Sequence, residues 1–417
     1  MRLPGIKTRW TLALLGALVA LAACAAAPAA AAPGGAGGEV EAAPAPTSAG
    51  ESPFDRHGMW IWYVSKSEGG SIPAMIARAK RAGIGTVYVK SADGSSVWSQ
   101  FNRQLVQRLH AGGLEVCAWQ FVYGDRPAAE AQAAAASIAR GADCFVIDAE
   151  GDYEGKYAAA DLYMSKLRAA AGESYPISLA GFPYVDYHPS YPYSVFFGPG
   201  GATASQPQMY WKTIGTSVRT VFEHTYLYNR IWGHPIYPLG QTYEGPGNAQ
   251  LKLFRRFSAS FGGLAPSWWD WQETDNREWA ALGARSALKP VVGYRPALEH
   301  PLLKKGSKGD MVVWAQQHLI AAGQEVPATG IFGKQTRAAV RAFQEEKGIP
   351  VDGQIGTETW EALLTYEPYE VPWAARARAR ASAMAGAGAS ARAAAPSRPL
   401  SASLPAKSYE ITPGSAP

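Results

Sequence analysis

From residue 58 to residue 290, short apolar runs alternate with segments whose apolar positions recur every three or four residues, at a spacing of roughly 30 residues. The runs predict strands at Met59–Val64, Thr86–Lys90, Glu115–Phe121, Cys144–Asp148, Ile177–Ala180, Ala204–Tyr210, Ile236–Gln241 and Ser267–Gln272. Helices are expected at Ile72–Ala82, Phe101–Leu109, Ala128–Arg140 and Tyr157–Ala171, then at Ser217–Tyr228, Asn248–Phe261 and near Glu278–Ala287. The first four stop at Gly83, Gly112-Gly113, Gly141 and Gly172, residues free to take a left-handed cap. The run Cys144–Ile147 is apolar on both parities, as expected for a parallel strand covered on both faces. Eight such units in about 235 residues predict an α/β fold, a (β/α)8 TIM barrel. The rival, a doubly wound open sheet, usually carries a Gly-rich phosphate loop after its first strand, and this sequence has none there.

Barrel sites form where the strands run out at their carboxyl ends. There Asp148 and Glu150 stand two residues apart, so on a strand they share a face, with Cα atoms roughly 6–7 Å apart. Such a pair suits glycosidic-bond chemistry, in which one acid stays protonated and the other ionised. The plain alternative is a pair of capping or solvated acids at a strand–loop junction. Around the same rim the substrate-binding candidates are Trp62, Lys90, Asp93, Trp119, Gln120, Tyr184, Gln208, Tyr210, Gln241, Asp270 and Trp271. Aromatic faces offer platforms for pyranose rings, and Gln, Asp and Tyr supply directional hydrogen bonds, although any single Trp could instead fill the barrel.

Composition narrows the chemistry. The seven His residues are scattered, without a His-x-x-x-His pair, and no Gly-x-Ser-x-Gly elbow is present; no metal or cofactor is expected. A net charge of +5 over 417 residues does not argue for nucleic acid as a partner. Cys117 and Cys144 lie in apolar runs and read as buried small hydrophobes, with a bridge between them left open for an oxidising compartment.

Residues 1–24 read as a secretory signal: Arg2, Lys7 and Arg9 precede the apolar Trp10–Ala23, which is short for a membrane span. Leu21-Ala22-Ala23-Cys24 resembles a bacterial lipoprotein box, which implies lipidation of Cys24. Cleavage near Ala30-Ala31-Ala32 is the alternative and would discard that cysteine. Either way the expected location is extracytoplasmic, with membrane contact only through a lipid anchor. Residues 25–53 form an Ala/Pro/Gly-rich linker, 54–290 the barrel, 300–366 a small second domain, and 367–417 a low-complexity tail expected to be solvated.

Val146-Ile147-Asp148-Ala149-Glu150 resembles the Asp-x-Glu motif of glycoside hydrolase family 25 lysozymes, barrel enzymes that cut peptidoglycan after N-acetylmuramic acid. Gln208-Met209-Tyr210-Trp211 and Trp269-Asp270-Trp271-Gln272 also look like strands of that superfamily. The resemblance implies that Glu150 protonates the leaving oxygen while Asp148 stabilises the sugar cation or positions an N-acetyl group. Pairing Glu150 with Glu244, on the fourth and seventh strands, is an open alternative, and Asp270 is a third candidate partner. One departure bears on substrate orientation: the family carries an Asp on its first strand, where Gly58-Met59-Trp60-Ile61-Trp62-Tyr63 has no acid.

The second domain closely resembles the three-helix peptidoglycan-binding module of bacterial wall hydrolases. The resemblance is carried by Leu303, Gly306, Gly309-Asp310, Val313, Gln316-Gln317, Gly330-Ile331-Phe332-Gly333, Thr336, Phe343-Gln344, Asp352-Gly353 and Trp360. Val313, Gln317 and Ile320, and then Thr336, Ala339 and Phe343, fall at helical spacing. A duplicated half-pattern ends in helices expected to be N-capped by Thr336 and Thr357. Together these features predict a wall hydrolase acting on peptidoglycan or another cell-wall polysaccharide. The alternative is a wall-binding protein with a degenerate glycosidase barrel.

Overall fold

The computed structural model describes residues 52–297, 299–379, 381 and 382. The expected signal segment, Cys24, most of the linker and the end of the tail lie outside the described residues.

Eight parallel strands follow one another: β1 (Gly58–Ile61), β2 (Thr86–Asp93), β3 (Glu115–Val122), β4 (Cys144–Ala149), β5 (Ile177–Ala180), β6 (Ala204–Ser205), β7 (Leu239–Gln241) and β8 (Ser267–Trp269). Each pairs with its neighbour in chain order, and β8 returns to β1 through Gly58↔Ser267 and Met59↔Trp268. Parallel bridges Ser205↔Ile236 and Gln208↔Leu239 join β6 to the β7 segment and close the ring. The fold is therefore a TIM barrel. The sixth and seventh strands are shorter than the apolar runs suggested, because in each only part of the run makes a continuous ladder.

Strand alternation divides the apolar residues into two layers. Phe145, Ile147 and Ala149 join the sheet–helix layer, while Cys144 and Val146 join an interior cluster with Trp60, Tyr88, Cys117 and Trp119. The interior is filled with side chains, as small barrels require. Gly58 makes room for one of them, since a Cβ there would stand 2.5 Å from the Tyr88 ring. On the outside, the helix Ile72–Ala82 ends at Gly83 with φ of 66°, the left-handed stop its sequence predicts.

The cysteines correct an expectation. Cys117 and Cys144 are register partners on β3 and β4, and they form a disulfide inside the barrel rather than standing as free thiols. The 27-residue separation hid this, because register alone brings them together. Removing the bridge with Cys117→Ser/Cys144→Ser should cost about 2–4 kcal/mol. Thermal unfolding with and without reductant tests this: the midpoint should fall on reduction for wild type only.

The second domain has helices Asp310–Ala321, Lys334–Lys347 and Thr357–Leu363. Gly333 and Gly356 occupy the N-cap positions without a side-chain cap, so Thr336 and Thr357 are not caps. The duplication lies elsewhere. Gln316 accepts from Gly330 N (2.9 Å) and donates to Thr336 Oγ1 (2.9 Å); Gln344 accepts from Gly353 N (2.9 Å) and donates to Thr359 Oγ1 (3.0 Å). In each half a buried Gln ties a glycine turn to the third residue of the following helix.

This domain does not hang from a linker but packs on the barrel. Asp310 N donates to Pro189 O (2.7 Å), and the Asp310 carboxylate accepts from Ser194 N (2.7 Å) and Ser194 Oγ (2.5 Å). Trp314 Nε1 donates to Ile231 O (2.6 Å), with its ring 5.3 Å from that of Trp232. The start of the tail also departs from the solvated reading. Tyr369 pairs with Gln317, Val371 is buried, Trp373 packs on Tyr157, and Ala374 N donates to Asp161.

Candidate active site

β4 runs out into the barrel mouth carrying Asp148, and the extended backbone at Glu150 keeps the second acid on the same side. Gln208, just beyond β6, meets both: its Nε2 donates to Asp148 Oδ1 (3.0 Å) and to Glu150 Oε1 (3.0 Å). The two accepting oxygens therefore stand no more than 6.0 Å apart, twice one bond length. A single amide nitrogen has two hydrogens, so it fixes both acids and leaves their remaining oxygens for other groups.

Burial makes two adjacent negative charges costly. Asp148, 6 % exposed, is held well above the usual carboxylate range by burial and then by the charge of Glu150, against an opposing pull from Lys90. Glu150 is pushed up to about 7 by burial, with Gln208 opposing and Asp152 reinforcing. The pair holds a proton at neutral pH more readily than free carboxylates do, which is the state a proton donor beside a charged partner needs.

Of the other sequence candidates, Tyr210 belongs to the mouth, since it feels the charges of Asp148, Glu150 and Asp270, and its ring lies 5.5 Å from that of Tyr243. Trp62 lies half-buried at the rim, stacked on Tyr63 at 5.6 Å. Asp270 is 1 % exposed; it accepts from Glu273 N through Oδ1, and burial pushes it up to about 8. Lys90 and Asp93 form an ion pair of 2.7 Å.

Six candidates are corrected. Gln120, fully buried, points outward on β3 and bonds Gly94 O, Glu130 O and the Tyr163 hydroxyl. Its parity, opposite to inward Trp119, carried that information. Trp119 itself is 1 % exposed and forms the floor with Trp60 and Trp269, its Nε1 bonded to Ile61 O. Gln241 accepts from Lys212 N and so satisfies the start of the short helix Trp211–Ile214. Tyr184 stacks on His224 at 3.9 Å in the helix layer. Trp271 packs edge-on against Trp279, again outside the barrel. Glu244 is exposed and bonds Thr213 Oγ1, without a hydrogen bond to either acid of the pair.

One aromatic, Trp98, went unnoticed as part of this region, whereas Tyr123 is among the rim residues that the third strand's end suggests. Trp98 follows the short antiparallel strand Ser96–Val97, and Tyr123 donates to Asp93 Oδ1 (2.9 Å). The Asp93-Gly94 turn was the available signal for the hairpin that brings Trp98 over the mouth.

Residues 308–363 match the family model described as "putative peptidoglycan binding domain". The chain carries a peptidoglycan-binding domain. Over 65 residues it is 45% identical to the N-acetylmuramoyl-L-alanine amidase CwlL of Bacillus licheniformis, covering 15% of this chain and 18% of that one. Over 75 residues it is 33% identical to a spore cortex-lytic enzyme of Bacillus cereus, covering 18% and 29%. The chain thus spans less than a third of these relatives' lengths. The barrel region is similar to an endo-beta-1,4-mannanase from Thermotoga petrophila, with 9% identity, 61% of this chain and 81% of that one covered, and a TM-score of 0.43.

Proposed function

We propose that this protein is a cell-wall hydrolase whose barrel cleaves peptidoglycan glycan strands while the docked domain holds it on the wall. The observation that carries the reading is the acid pair Asp148–Glu150, gripped by one Gln208 amide in the mouth of a closed barrel. Glu150 is the proton donor to the leaving oxygen; Asp148, in its ionised form, stabilises the sugar cation or aligns an N-acetyl group. Tyr210 and Trp62 supply the polar and apolar contacts for the sugar. The buried disulfide suits an oxidising, extracytoplasmic compartment.

Release of reducing ends from purified peptidoglycan tests the proposal, with product masses locating the bond. Glu150 must be protonated to act, so cleavage should fall as pH rises through about 7. A rate that climbs steadily across that interval would contradict the assignment.

One observation favours a second reading, a wall-binding protein without turnover. β1 presents Met59, Trp60 and Ile61, all buried, and no carboxylate. If the protein sediments with several wall preparations yet releases nothing from any, this reading replaces the first.

A further inference from the structure

Lys90 stands in the mouth but is closed to substrate. It is 3 % exposed, and its Nζ lies 5.0 Å from the Trp62 ring centre, 4.8 Å from Trp98 and 4.7 Å from Trp119. One N–H goes to Asp93 Oδ2 (2.7 Å), and the other face of that carboxylate accepts from Tyr123. Three aromatic faces attract a cation without offering strong acceptors. An ammonium so enclosed has no free hydrogen-bonding direction toward a sugar, which corrects its expected role as a direct contact.

A β-bulge explains how Lys90 and Asp93, three residues apart, both point inward. The β2–β3 register shifts between Lys90 and Ala92, so Lys90 pairs with Trp119 and Asp93 with Phe121. Phe121 in turn pairs with Asp148. Asp93, Phe121 and Asp148 thus form one level of the ring, with Lys90 a level below. We propose that Lys90, locked by its three tryptophans and Asp93, is a positioning residue that lowers the cost of a negative charge on Asp148 and so biases the shared proton toward Glu150. The inference rests on the proposed roles of the pair but is tested without them.

The groups acting on Asp148 can be separated. Glu150 just beyond β4 and Asp93 on β2 oppose its charge, whereas Lys90 favours it. Tyr210 in the mouth, and Tyr191, whose hydroxyl donates to Ala149 O, feel the charges of the pair and are held above the ordinary phenol range, so they add no charge at neutral pH. Asp152 acts on Glu150 and makes its ionisation harder. Lys90 is the one cation in this set; Asp93 is its counterweight.

Carboxyl NMR titration of the whole chain reads this directly in Lys90→Met, Lys90→Arg and Asp93→Asn. Lys90→Met should raise the first ionisation of the pair by about one to two pH units. Lys90→Arg should bring it back toward wild type, and Asp93→Asn should move it the other way. General loosening of the site would shift Lys90→Met and Asp93→Asn in the same direction. That outcome, or no shift in either, overturns the inference. Should Lys90→Met fail to fold, the downward shift in Asp93→Asn and the retention in Lys90→Arg still decide it. If Glu150→Gln kept full cleavage, the proposed function would fall while the titration still ruled on Lys90.

Discussion

Glu150→Gln should lower glycan cleavage by about 10²–10⁴-fold, the usual worth of a positioned proton donor. The same substitution should make the protein more stable above neutral pH. Glu150 ionises at about 7 in the folded state against an ordinary 4.5, so between those values the native state holds more protons than the unfolded chain. Its stability contribution therefore worsens as pH rises through that interval and is fully unfavourable above it. A neutral amide of the same shape removes the penalty, which is about 3 kcal/mol on this reckoning. It also relieves Asp148 of a repulsive neighbour. Thermal midpoints at pH 4 and pH 8 provide the check: little change at the lower value and a clear rise at the higher. Loss of cleavage together with a gain in alkaline stability marks a group whose placement costs the fold. Loss of both would mean that the variant had simply disrupted the mouth.

Trp314→Ala should cost about 3–5 kcal/mol and split unfolding into two transitions. The side chain is 2 % exposed and belongs by sequence to the peptidoglycan-binding domain, yet its polar bond and an aromatic contact are with the barrel residues Ile231 and Trp232. Truncation removes the ring and strands the Ile231 carbonyl. Nearby, Asp310 is pushed up to about 7 by burial, against the pull of Ser194 and Tyr157, so that part of the interface has little surplus to offset the loss. Trp314→Phe keeps most of the packing and should cost less, about 1–3 kcal/mol for the unpaired carbonyl. Scanning calorimetry of the whole chain separates these outcomes. An unchanged single transition in Trp314→Ala would show that docking adds little to stability.

Rigid docking changes how the two halves can cooperate. A domain on a flexible linker raises local substrate concentration over a volume set by linker length. Here the small domain packs on the barrel through Asp310, Trp314 and the returning residues 369–374, so the two halves keep one relative orientation. Under the proposed function, such an arrangement would favour attack at a fixed distance from the anchored position.

The chain's own order of residues determined the number and sequence of parallel strands, the helix limits Ile72–Ala82 and Tyr157–Ala171, the small domain, and the pairing of Asp148 with Glu150 on one face. Those features follow from local periodicity, glycine stops and spacing of two along a strand, all visible within a few residues. Tertiary structure alone decided the rest. Gln208 lies about 60 residues from the acids it bridges, and Cys117 meets Cys144 only through register. The bulge between Lys90 and Ala92 turned Asp93 inward, while Gln120, Tyr184 and Trp271 faced the helix layer despite standing at strand ends. A polar residue at a strand terminus has two faces open to it, and only closure of the ring and the packing of helices around it choose between them.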